Sequence, residues 1–272
     1  MFLFSVKCPV NDREKQWIEE SMLWLADQFG SDTLCGAEVI LPTPEYSPDP
    51  FRRSRDSVQK MMSRICEYMG IDPDRIQLEF YSEQDGILPA NSPLLYGVPQ
   101  THSGTAGLYV PASSKSKRTR ASEASKTRTG SRAIIAIEMS QLDNPSALMA
   151  TLGHEAGHLV LDDKRVQRTR EHYEHLTDLA TVFLGMGVLT ANAAFRVIKR
   201  YEGITASWKM SRQGYLSEPM YGYALASFAW MRGEEKTDWS EYLERNIWPY
   251  FRDSRKYLKK TQDTTLPIYA RP

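Results

Sequence analysis

His154-Glu155-Ala156-Gly157-His158 is the stretch on which the reading of this chain turns. Two imidazoles four residues apart lie about one turn apart on a single helical face, where both can reach one ion. Neutral imidazole suits Zn²⁺, and Glu155, one residue along, is placed to face a water beside the metal instead of the metal itself. The stretch must be helical for this to work, and its flanks agree. Asn144-Pro145-Ser146 pairs an N-cap residue with a proline suited to the first turn, and no further proline follows up to Leu161. Leu148, Met149, Leu152, Ala156, Leu159 and Val160 surround the histidine face with apolar surface, so the helix is expected to be buried. Buried histidines need partners, and a metal supplies one. The bland alternative is a charged helix whose histidines happen to repeat every turn.

Two histidines do not complete a zinc site. Downstream, Glu171-His172-Tyr173-Glu174-His175-Leu176-Thr177-Asp178 leads into another apolar helical stretch, with Glu174 and Asp178 four residues apart on one face. Taken together, residues 145–185 resemble the gluzincin metallopeptidases, the group that includes thermolysin and the CAAX prenyl endopeptidases. Their pattern is His-Glu-x-x-His followed by a helix bearing Glu-x-x-x-Asp. The resemblance implies His154, His158 and Glu174 as zinc ligands, Glu155 as general base, and Asp178 as a partner that orients a ligand histidine. Fifteen residues separate His158 from Glu174, fewer than in thermolysin-like enzymes. Glu171, His175 and Asp178 therefore stay open as third ligands, and the bland reading of Glu171 and Glu174 is a solvated face paired with Arg168 and Arg170. The order of mixed strands followed by helices along the chain indicates α+β architecture. The resemblance implies that it is zincin-like, with a small mixed sheet followed by the active-site helix and a helical C-terminal part.

Composition bounds the alternatives. At 272 residues the chain can bury a substantial core. Lys+Arg and Asp+Glu both number 34, so no global charge dictates a nucleic-acid or membrane partner. Cys8, Cys35 and Cys66 are an odd number, far apart and all N-terminal to the histidine pair. They are expected to be reduced, mostly buried thiols of a cytoplasmic protein, neither a disulfide framework nor ligands. Peptide deformylases join the same histidine motif to a ligand cysteine, but Cys35-Gly36-Ala37 lacks their flanking pattern. No export or membrane segment is expected. The N-terminal apolar stretch is too short, and the longest apolar run, 179–191, is broken by threonines and glycines and reads as one buried core helix. Membrane-embedded prenyl-type peptidases are thereby set aside.

Along the chain, 2–6 is expected as a short strand, 12–29 as a helix capped at Asn11, and 37–41 as a strand. A proline-rich loop follows, then a helix over 54–69 ending at Gly70 and an alternating strand over 76–81. Residues 86–105 read as loop. Two strands are expected at 108–110 and 133–138, the second serving as the substrate-side edge strand. The C-terminal third reads as helical, with helices over 217–231 and 237–259. The chain is thus divided into an N-terminal α+β part (1–110), a basic insertion (113–132) and the metal-site and C-terminal helices (133–272), expected to form one compact unit. The insertion holds seven basic residues and one acid, a net +6 that leaves −6 on the rest. It has no aromatic or large aliphatic residue, so it is expected to be flexible. Non-specific anion contact through 113–132 is one use for it; the absence of stacking aromatics argues against sequence-specific nucleic-acid readout.

The activity these readings support is zinc-dependent hydrolysis of a peptide or protein substrate, endopeptidase in type. Tyr215, Tyr221, Tyr223, His102 and His175 are candidates for stabilising the oxyanion. The reading from another class is a zinc-containing regulatory or interaction protein with little peptidase activity. A protease dedicated to one cellular target is a further possibility.

Overall fold

The computed structural model describes residues 6–46, 51–82, 107–112, 132–167, 171–202, 205–212 and 214–269, with the backbone alone for 195–202 and 205–212. The chain forms two compact units, Met1–Ser47 with Val166–Pro272, and Pro48–Arg165.

The first unit opens with helix α1 (Asp12–Phe29). A capping box starts it: Asn11 accepts from the Glu14 N–H while Glu14 reaches back to the Asn11 N–H. Gly30 ends it, and the short helix α2 (Ser31–Gly36) follows. The expected strand at 37–41 does not form. This segment is irregular, and its Ile40 N–H donates to the Gly185 carbonyl across a turn, where no strand offers a continuing ladder. The strand expected at 2–6 and the loop at 86–105 lie outside the described residues, Val6 excepted.

The second unit holds α3 (Arg55–Met69), capped by Ser54 and closed by Gly70 in the left-handed conformation. Strands β1 (Ile76–Tyr81), β2 (Gly107–Val110) and β3 (Ala133–Glu138) form a sheet in the order β1-β3-β2. The sheet is mixed: β1 pairs parallel to β3, with Ile76 opposite Ala133, and β2 pairs antiparallel, with Tyr109 opposite Ile135. The expectation that β3 is an edge strand is corrected here. Ala133-Ile134-Ile135-Ala136-Ile137 is apolar on both faces and fully buried, which suits a strand with neighbours on both sides. Strand β2 is the antiparallel edge strand of this three-stranded sheet. Helix α4 (Pro145–Asp163) packs against α3, β2 and β3.

The first unit then resumes with α5 (Tyr173–Phe183) and α6 (Gly187–Ala194). The expected single helix over 179–191 is thus two, because Gly185, at φ +88°, turns the chain between them. The hairpin β4 (Phe195–Glu202) and β5 (Thr205–Arg212) pairs antiparallel, so the C-terminal third is not wholly helical. Helix α7 (Glu218–Met231) starts at its Ser217 cap as expected, and α8 (Trp248–Thr261) packs on it. The helix expected over 237–259 is interrupted. Pro249 lacks an N–H and its ring crowds the carbonyl four residues back, so the helix can only begin beside it, after a 3₁₀ turn at Asp238–Tyr242. Helix α1 packs against α5 and α7. The protein is mixed α and β, mostly helical, and among the described residues no helix is long and apolar enough to cross a membrane.

Candidate metal centre

Helix α4 carries the histidine pair. The Asn144 side chain accepts from the Ala147 N–H at 3.1 Å, and Pro145 occupies the first turn, as the sequence indicates. Leu148, Leu152, Ala156 and Leu161 are sealed from solvent, and His154 is the one partly exposed residue between Ala147 and Leu161. The two imidazoles stand edge to face with centroids 4.9 Å apart. His158 is 7% exposed and Glu155 6%, and Glu155 Oε2 lies 4.0 Å from His158 Nε2. The Glu155 carboxylate is thus almost fully shielded from solvent and lies close to the His158 imidazole.

Helix α5 carries the acidic half. His172 precedes it at φ +61°, and Glu174 sits in its first turn, where the helix dipole favours a carboxylate. Among the described residues, His154, His158 and Glu174 each offer one ligand atom, and these atoms lie within 4.8 Å of one another. Two imidazoles and one carboxylate are a donor set that zinc takes readily. The other acidic and histidine side chains of this segment have different surroundings. His175 joins an aromatic cluster in the first unit, its ring 5.2 Å from His172, 6.0 Å from Trp17 and 6.3 Å from Tyr215. Glu171 lies 3.5 Å from the exposed His172 ring. Asp178 is 1% exposed, and its Oδ2 accepts the backbone N–H groups of Tyr215 at 2.6 Å and Leu216 at 3.1 Å. It thereby ties the segment ahead of α7 to α5.

Of the oxyanion candidates, Tyr221 and Tyr223 are fully buried in the first unit, and the Tyr223 hydroxyl donates to Glu19 at 2.6 Å. Tyr215 is 39% exposed beside His175, and His102 lies outside the described residues, as does the insertion 113–132 apart from Arg132. The three cysteines are free. Burial, with Asp72 adding to it, pushes the Cys66 thiol up to about 12, so it stays protonated and makes a poor ligand.

Two neighbours of the histidine pair were not singled out by sequence reasoning. The Tyr109 ring stacks on His158, with centroids 5.6 Å apart and planes at 30°, and its hydroxyl donates to Asp162 Oδ2 at 2.9 Å. Asp162, four residues after His158, was readable as lying on its face. Nothing in the sequence announced Tyr109, because its role depends on which strand lies over α4. Comparison with protein-family models, curated proteins and solved structures finds no match to this chain.

Proposed function

We propose that this chain is a zinc metallopeptidase of gluzincin type in a zincin-like fold, hydrolysing internal bonds of a peptide or protein substrate in the cytoplasm. The observation that carries the reading is a His154, His158 and Glu174 donor group with a nearly dry Glu155 carboxylate beside it. His154, His158 and Glu174 would hold the zinc, which would supply Lewis acidity to activate a water and polarise a carbonyl. Glu155 then acts through its own carboxylate. It accepts a proton from the attacking water as the new C–O bond forms, and then delivers that proton to the leaving amine as the C–N bond breaks. Its burial excludes bulk water from that transfer. Asp178 acts at a distance, by holding the backbone of Tyr215 and Leu216 against α5.

Protein purified without added metal should carry near-stoichiometric zinc by elemental analysis, and His154→Ala and His158→Ala should each lose it. Glu155→Gln should keep the zinc and lose cleavage in a proteome-wide peptide screen, because an amide cannot accept the proton. Zinc retained in a wild type that cleaves nothing would instead favour a regulatory or interaction protein. A metal-free wild type of unchanged stability would remove both readings.

A further inference from the structure

The edge strand β2 touches the metal helix at two alternate residues, and both contacts fall on groups that the metallopeptidase reading needs. Residues 107 and 109 share one face of the strand. At Gly107 a Cβ atom would stand 2.7 Å from Thr151 Cγ2, 3.0 Å from Glu155 Oε1 and 3.1 Å from Glu155 Cγ. The strand backbone therefore lies directly against the Glu155 side chain, and an added methyl would force the Thr151 methyl to move and press on the Glu155 carboxylate. At Tyr109, 6% exposed, the ring lies over the His158 imidazole while the hydroxyl reaches Asp162. The ring is thus held at both ends, by the strand and by a carboxylate one turn beyond the histidine. The strand is fixed in turn by its ladder to the buried β3, with Gly107 opposite Ile137 and Tyr109 opposite Ile135.

We infer that β2 is a positioning strand for the metal site: Tyr109, anchored by Asp162, sets the plane of the His158 imidazole, and Gly107 seats the Glu155 carboxylate. The inference rests on the zinc metallopeptidase reading and adds residues to it. An imidazole packed against an immobile ring loses alternative orientations before it meets a metal, and groups that orient a ligand in this way typically change metal affinity by about 10–100-fold. Glu155, pressed against a strand backbone, is likewise denied rotamers that would carry it away from the histidines.

The test measures zinc affinity of the full chain by competition with a chromophoric chelator, alongside the thermal midpoint of the metal-free protein. Tyr109→Leu should weaken zinc at least about 10-fold. Asp162→Ala, at a half-buried position, should weaken it by a smaller factor. Asp162→Asn should restore most of that loss, since its amide oxygen accepts the same hydroxyl. A purely structural tyrosine would lower the metal-free midpoint and leave zinc affinity alone. Gly107→Ala should lower the metal-free midpoint, and by less in a Glu155→Ala background, because the Thr151 overlap is common to both and cancels in the cycle. Wild-type zinc affinity in both Tyr109→Leu and Asp162→Ala, or an equal Gly107→Ala penalty with and without Glu155, overturns the positioning role alone. A wild type that binds no zinc overturns the metallopeptidase reading and this inference with it.

Discussion

Glu19 is 2% exposed, yet its carboxylate is fully engaged: Oε1 accepts from the Tyr223 hydroxyl, and Oε2 accepts from the backbone N–H and the hydroxyl of Thr265 at 3.0 and 2.9 Å. Burial alone would raise its pKa, but these hydrogen bonds outweigh burial and hold it below the ordinary carboxylate value. The same contact pushes the Tyr223 phenol well up, with burial the larger cause. A depressed carboxylate pKa contributes stability that is complete above the unfolded value of about 4.3 and is lost as the pH falls through the folded value. Glu19→Gln should therefore flatten the acid limb of the stability curve below about pH 4.3, while leaving these three donors only one oxygen to share. At neutral pH it should cost about 1–3 kcal/mol, read from urea unfolding at a series of pH values. A variant with the wild-type acid limb would mean that Glu19 is not the group being titrated.

Between α5 and α6 the chain turns at Gly185, a position that no other residue can fill. Its φ of +88° is strained for a side chain, and an added Cβ would overlap the Glu38 carbonyl oxygen, with the Glu38 carbonyl carbon only 3.0 Å away. The Gly185 carbonyl also receives the Ile40 N–H at 2.9 Å, so this turn docks the irregular segment after α2. Gly185→Ala should cost at least about 1–3 kcal/mol from backbone strain alone, and more because backbone has to move. The neighbouring Gly187 is tighter against side chains, its Cβ position lying 2.9 Å from Leu225 Cδ2, and a leucine can shift where a carbonyl cannot. Gly187→Ala should therefore be the milder of the pair by thermal unfolding. Equal losses would show that the turn conformation is not what Gly185 supplies.

The first unit is assembled from both ends of the chain. Thr265 closes on Glu19 of α1, the Trp230 indole N–H donates to the Leu266 carbonyl at 3.1 Å, and the Tyr269 N–H donates to the Met231 carbonyl at 2.7 Å. Leu266 itself is buried at 5% exposure. A chain truncated after Thr261 loses all of these, including an apolar burial of about 1.5–3 kcal/mol. Its unfolding midpoint should fall by at least about 3 °C, since 1 kcal/mol is worth about 2–4 °C at this size. An unchanged midpoint by calorimetry would mean that residues beyond α8 only decorate the unit. Contacts that join residues 246 apart, such as Thr265 to Glu19, also carry a large loop-closure cost, so this unit should be slow to fold.

Local signals were legible wherever one residue type has one job. Asn11, Ser54, Asn144 and Ser217 start helices where their short polar side chains meet free N–H groups, and Gly70 ends one because it alone enters the left-handed region without strain. The His154/His158 pair was readable for the same reason, since a four-residue spacing on a helix is a distance. The third candidate ligand was not reduced to one residue by spacing, because Glu171, Glu174, His175 and Asp178 all lie within about two helical turns. Only the fold sets Glu174 with the histidines, places His175 among Trp17, His172 and Tyr215, and gives Asp178 two backbone N–H groups. The place of β3 at the centre of its sheet, the break at Gly185 and the contact of β2 with Glu155 and His158 were likewise decided by tertiary structure. Sequence by itself determines which groups can cap, turn or ligate, because those are properties of a few neighbouring atoms. Which strand lies across which helix depends on how the apolar faces of distant segments bury one another, and no local pattern carries that information.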